Sequence, residues 1–96
     1  MEELGKKMCE HVRWNRYLEV ERLLAAGVDP DCQRGTAIVN AIHNRNIAMI
    51  RLLLLYGADI NIGDSTPIRT AAKHCYHSVI PYLIEQGSRF RMRNDR

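Results

Sequence analysis

Ninety-six residues, 46% of them apolar and 26% charged, describe a single small domain with a modest core, and exclude a chain too polar to fold. The longest unbroken apolar run, residues 52–56, falls far short of the roughly 20 residues a membrane-spanning helix needs. The net charge of +3 is small and uneven: residues 1–35 carry six basic and seven acidic side chains, and residues 36–96 carry eight and four.

From the N-terminus, Met1-Glu2-Glu3-Leu4 lacks the basic and apolar regions of a secretion signal, which argues for the cytoplasm. Three cysteines, Cys9, Cys32 and Cys75, are odd in number without a C-x-x-C spacing, as reduced thiols would be. The first apolar helical run ends in "LLAAGVDPD" at Gly27. A second begins at Thr36 with "TAIVNAIHNRN" and breaks at the polar stretch His43 to Asn46. The next, rich in Ile47, Met49, Ile50, Leu52, Leu53 and Leu54, stops at Gly57 in "LLLLYGADIN". Thr66 and Pro67 then open "TPIRTAAKHCY", which breaks at Lys73 to Ser78, and Val79, Ile80, Tyr82, Leu83 and Ile84 lead to Gly87.

Gly27, Gly57 and Gly87 are 30 residues apart (57 − 27 and 87 − 57), and Thr36 and Thr66 share that spacing. A fixed period of this length signals stacked units. Thr36 and Thr66 are expected to cap helix starts by accepting from first-turn amides, with Pro67 at a position that needs no donor. The glycines are expected to close helices in a left-handed conformation. Each unit is then a helix, a tight turn and a second helix, and neither helix pair can bury its faces without a neighbour. The units run about 1–34, 35–64 and 65–96, in one domain over 1–96.

These residues resemble the ankyrin repeat, whose unit reads T-P-L-H-x-A-A followed by V-V-x-x-L-L-x-x-G-A-D-V-N. Thr66, Pro67, Ile68, Ala71, Ala72, Gly57, Ala58, Asp59 and Asn61 stand on the motif positions, and the likeness covers nearly the whole chain. In the first unit Lys6, Lys7, Met8 and Cys9 replace T-P-L-H, as in an N-terminal cap. The resemblance implies an all-α ankyrin-repeat solenoid of about three units. Its fingers should be short, because the ankyrin period is 33. The family's histidine is Val39 and Arg69 here, so its internal hydrogen bond is absent or replaced. Pro81 is tolerable only if its helix begins near Ser78.

No phosphate loop, H-E-x-x-H or nucleophile elbow is present, so no catalytic residue, cofactor or metal is assigned and the chain is not expected to be an enzyme. His74, Cys75 and His77 fall across a turn, where the plain reading is surface histidines beside a half-buried thiol. By the ankyrin resemblance the concave, partner-binding face comprises Gln33, Arg34, Asn40, His43, Asn44, Gly63, Asp64, Ser65, Thr70, Lys73 and His74, with Arg13 and Trp14 in the first unit. On the other side Leu18, Ala25, Ala48 and Leu55 form an apolar strip, where Leu55 and Tyr56 could make a dimer or second contact. In the basic C-terminal tail 89–96, Arg89, Arg91, Arg93 and Arg96 alternate with Phe90 and Met92. The apolar pair is expected to cover the last unit; the alternative is contact with an acidic partner or nucleic acid.

The expected function is protein binding through the concave face by a small adaptor or inhibitor, complete from Met1 and of bacterial or viral kind by resemblance. The alternative is a nucleic-acid-associated protein using the basic second half.

Overall fold

Each glycine stop and each polar break ends a helix in the computed structural model, which describes residues 2–87. Six helices follow in order: α1 Glu2–Arg13, α2 Tyr17–Ala25, α3 Cys32–His43, α4 Ile47–Leu55, α5 Ile62–Lys73 and α6 Ile80–Glu85. Helices α1, α3 and α5 pack side by side in one layer, and α2, α4 and α6 each return against the helix before it. The product is an elongated stack, 41 × 21 × 18 Å, with no strand among the described residues. It is an all-α solenoid of short-fingered helix pairs.

The turns repeat as faithfully as the helices. Asn15, Arg45 and Cys75, spaced by 30, all take left-handed backbone between the two helices of a unit, at φ 60, 52 and 56°. The next amide in each case donates to a carbonyl five residues back: Arg16 to His11, Asn46 to Ala41, Tyr76 to Ala71. At the helix stops Gly27, Gly57 and Gly87 reach φ of 101, 97 and 103°, a region a side chain disfavours. The amides of Val28 and Ala58 then donate back to Leu23 and Leu53, satisfying carbonyls the helix leaves over.

The threonine caps differ from the sequence expectation. Gln33, Arg34 and Gly35, and again Gly63, Asp64 and Ser65, form a left-handed turn ahead of each threonine, with φ between 57 and 81°. That turn presents a carbonyl three residues upstream, so the Thr36 hydroxyl donates to Gln33 and the Thr66 hydroxyl to Gly63, both at 2.6 Å. The hydroxyl is a donor to the turn, not an acceptor from first-turn amides. This coil replaces the longer family finger and accounts for the shorter period. Pro81 lies in the first turn of α6, which begins at Ile80 and runs only six residues. Asn46 caps α4 by accepting from the Met49 amide, whereas Tyr76, its counterpart, has no such group.

One continuous core joins the units. Met8, Ile38 and Ile68, spaced by 30, are all fully buried, and Val12, Val20, Ile42, Ile50, Leu53 and Leu83 fill in around them. The seams fit closely. A side-chain carbon on Gly35 would stand 2.8 Å from Ile62, and one on Gly5 would stand 2.7 Å from the Cys32 sulfur, so a larger residue at either site would force its neighbour to shift. Exposure grows along the stack: Leu24 is buried, Leu54 half-buried and Ile84 52% exposed, because each residue in that row is covered by the unit after it. The tail residues Phe90, Met92, Arg89, Arg91, Arg93 and Arg96 lie outside the described residues.

Candidate interaction surface

The helical period selects the solvent face of the first layer. Lys6, Glu10 and Arg13 follow an i, i+4, i+7 pattern on α1, opposite the buried Met8 and Val12. Adding 30 gives Thr36, Asn40 and His43 on α3, then Thr66, Thr70 and Lys73 on α5. These nine positions form three rows across the stack, flanked by the finger turns. A groove of about 510 Å³ opens where Gly63, Thr66, Arg69, Thr70 and Lys73 converge. Lys6 and Glu10 escaped the sequence reading because the first unit lacks the T-P-L-H landmark, although the 30-residue offset locates them.

The remaining sequence-assigned residues divide by what they already hold. Asn40 donates to the Cys9 carbonyl at 3.1 Å; Asn44 donates to Val12 and Arg13 carbonyls at 3.1 and 2.8 Å, and to Asn15 at 3.3 Å. Their amides therefore serve the seam with α1, where Asn44 caps the Arg13 carbonyl that the last turn leaves over. Gln33 is half-buried and Arg34 exposed in the first left-handed turn. Asp64, exposed in the second, pairs with Arg69 at 3.1 Å, and Arg69 also donates to the Asp64 carbonyl. Arg69 thus ties its unit internally through an exposed pair. Ser65 is half-buried beside Asp64.

His43 and His74 meet at the seam between units two and three. Their rings are 5.2 Å apart edge to face, His74 stacks on Tyr76 at 5.3 Å, and the Tyr76 hydroxyl lies 3.1 Å from His43 Nδ1. Arg45 covers the Tyr76 ring at 4.7 Å, and Arg13 lies 5.6 Å over Trp14, which is 59% exposed. Cys75 is exposed rather than half-buried, because its left-handed backbone carries it away from the core.

Two electrostatic details belong to the seams. The Asp31 carboxylate accepts the Asp59 amide through both oxygens, at 3.0 and 3.1 Å, while Asp29 and Asp59 each accept from the amide two residues on. Burial raises the Asp31 carboxyl above its ordinary range, and the Asp59 amide pulls it part of the way back. Burial pushes the Cys9 thiol from 9.0 up to about 12, with the adjacent Cys32 adding to the effect.

On the opposite side Leu18 and Leu55 are 67% and 73% exposed, with Ala25, Ala48 and Tyr56 also open to solvent. Leu55 lines a second groove with Arg51, Leu54, Tyr82 and Gln86.

Comparison with known proteins agrees with this architecture. The family model for ankyrin repeats (three copies) matches residues 9–94. The chain is 38% identical over 77 residues to the human mitochondrial disaggregase, covering 75% of this chain and 11% of that protein. A putative ankyrin repeat protein of fowlpox virus is 32% identical over 93 residues, 90% of this chain and 13% of the viral one. The E3 ubiquitin-protein ligase KEG of Arabidopsis thaliana is 33% identical over 93 residues, 90% of this chain and 6% of the ligase. The chain thus spans about a tenth of the length of the curated relatives it matches. Repeating helix pairs, left-handed glycine stops and the family match together make the chain a member of the ankyrin repeat family.

Proposed function

We propose that this chain is a non-catalytic module that grips a partner protein with its concave face, acting as a small cytoplasmic adaptor or inhibitor. Ankyrin repeats are generally protein-interaction modules, and the fowlpox relatives supply the viral precedent. The observation that carries the reading is the row geometry: Thr36, His43, Thr66, Thr70 and Lys73 stand on one face, beside Arg34 and Asp64 in the finger turns. Lining a face with small hydroxyls and a few long cations leaves room for a partner's side chains between the rows.

The test is capture from cells with wild type and an Arg34→Glu, Thr70→Glu variant, each checked by thermal melting. Loss of specific captured proteins in a folded variant supports the concave face. Identical captures reject it. The exposed Leu55 and Tyr56 make a second contact or a homodimer; Leu55→Asp would then lower the mass measured in solution, and an unchanged mass removes the dimer.

A further inference from the structure

The geometry points to a second docking site, on the edge formed by the three inter-helix turns, for an acidic polypeptide segment. All four histidines of the chain, His11, His43, His74 and His77, fall in or beside these turns, together with Arg13, Arg16, Arg45 and Lys73. None of the stretches 11–17, 43–47 or 73–79 contains an aspartate or glutamate, and the nearest acids in sequence are Glu10 and Glu19. The finger turns are the reverse among the described residues: Asp29, Asp31, Asp59 and Asp64 stand there against Arg34 and Arg69, the latter paired with Asp64. Among the described residues charge is therefore polarised along the helix axes.

Arg13, Arg16, Arg45 and Lys73 are all exposed. Among the described residues none has a carboxylate partner: Arg13 lies over Trp14, Arg16 reaches His11 at 3.5 Å, and Arg45 lies over Tyr76 and donates to the His43 carbonyl at 3.3 Å. Holding guanidinium groups on ring faces fixes their direction at little entropic cost and leaves their edge donors for a carboxylate. Exposed Trp14 supplies an apolar anchor at one end of the edge. An acidic protein segment fits better than single-stranded nucleic acid, because stacking bases need free ring faces. The Tyr76 ring is already taken by His74 and Arg45.

The edge shares Arg13, His43 and Lys73 with the first-layer rows, but Arg16 and Arg45 belong to it alone, so variants at those two let this site fail while the concave-face reading stands. Its test is fluorescence anisotropy of a short labelled glutamate-rich peptide, its glutamine counterpart and a mixed single-stranded oligonucleotide. The proteins are wild type, Arg16→Gln/Arg45→Gln, and Lys7→Gln/Arg22→Gln, which removes equal charge elsewhere. Thermal melting shows that each is folded. The acidic peptide should bind wild type at low salt and weaken as salt rises. Affinity should fall about tenfold in the edge variant and less than about twofold in the control. Equal loss in both variants, equal binding of the glutamine peptide, or no binding to wild type overturns the site. Preference for the oligonucleotide also overturns it, in favour of nucleic acid.

Discussion

Asn44 shows how much one amide can hold. Of its two carbonyl partners at the end of α1, Val12 also takes the Asn15 amide while Arg13 has no backbone donor, so Asn44→Ala strands one carbonyl and weakens the seam between units one and two. The expected cost is about 1–3 kcal/mol, read as a lower urea midpoint, with Asn40→Ala costing about 1 because it removes one added hydrogen bond to a carbonyl inside α1. Neither role was legible beforehand: the family likeness places both residues on the concave layer, but which neighbour a side chain leans toward depends on the sense of stacking. The cysteines make a second prediction. Cys75 is exposed and should react rapidly with a thiol reagent, while Cys9, buried and raised to about 12, should stay protected until the chain unfolds. Above pH 9 the unfolded Cys9 thiol ionises while the folded one keeps its proton. Stability should then fall by up to about 1.4 kcal/mol per pH unit between 9 and 12. A urea midpoint that holds steady through that window contradicts the assignment.

The helices and their stops were readable because they follow from local rules: apolar residues at helical spacing, a glycine where φ turns positive, an asparagine ahead of α4. The left-handed finger turns were not. Gln33, Arg34, Asp64 and Ser65 carry side chains that oppose such a backbone, and only the constraint of packing adjacent units 30 residues apart forces them into it. Two substitutions separate strain from fit. Gly35→Ala places a carbon against Ile62 on top of an unfavourable φ, and should cost more than about 2 kcal/mol. Gly57→Ala, with nothing nearby, should cost about 1. Arg34→Gly relieves a left-handed side chain and should raise the melting midpoint by up to about 1 kcal/mol of stability. If Arg34 contacts the partner as proposed, that gain comes with weaker binding, which one titration would show.

Stacking in a row rather than around a centre makes stability a matter of neighbours. Helix α3 is flanked by α1 and α5 and backed by α4, whereas the six-residue α6 is held chiefly by α5. Amide exchange should be slowest in α3 and fastest in α6; uniform protection would mean that the three units open together. The 30-residue offset announced this arrangement from the sequence. The charge polarity did not stand out there, since it appears only when turns scattered along the chain are gathered onto one edge.

The close seam at Gly35 and the asparagine ties to α1 lie on a common 30-residue grid, and this makes the chain extensible. Residues 35–64, inserted a second time after Asp64, would bring their own Gly35 to receive the repeated Ile62, in the place Ser65 now occupies. The repeated Asn40 and Asn44 would find the carbonyls of Val39, Ile42 and His43, where they now find those of Cys9, Val12 and Arg13. Tandem duplication of that stretch would lengthen the protein while keeping these contacts, with Arg45 and Asn61 standing where Asn15 and Asp31 now serve the first seam.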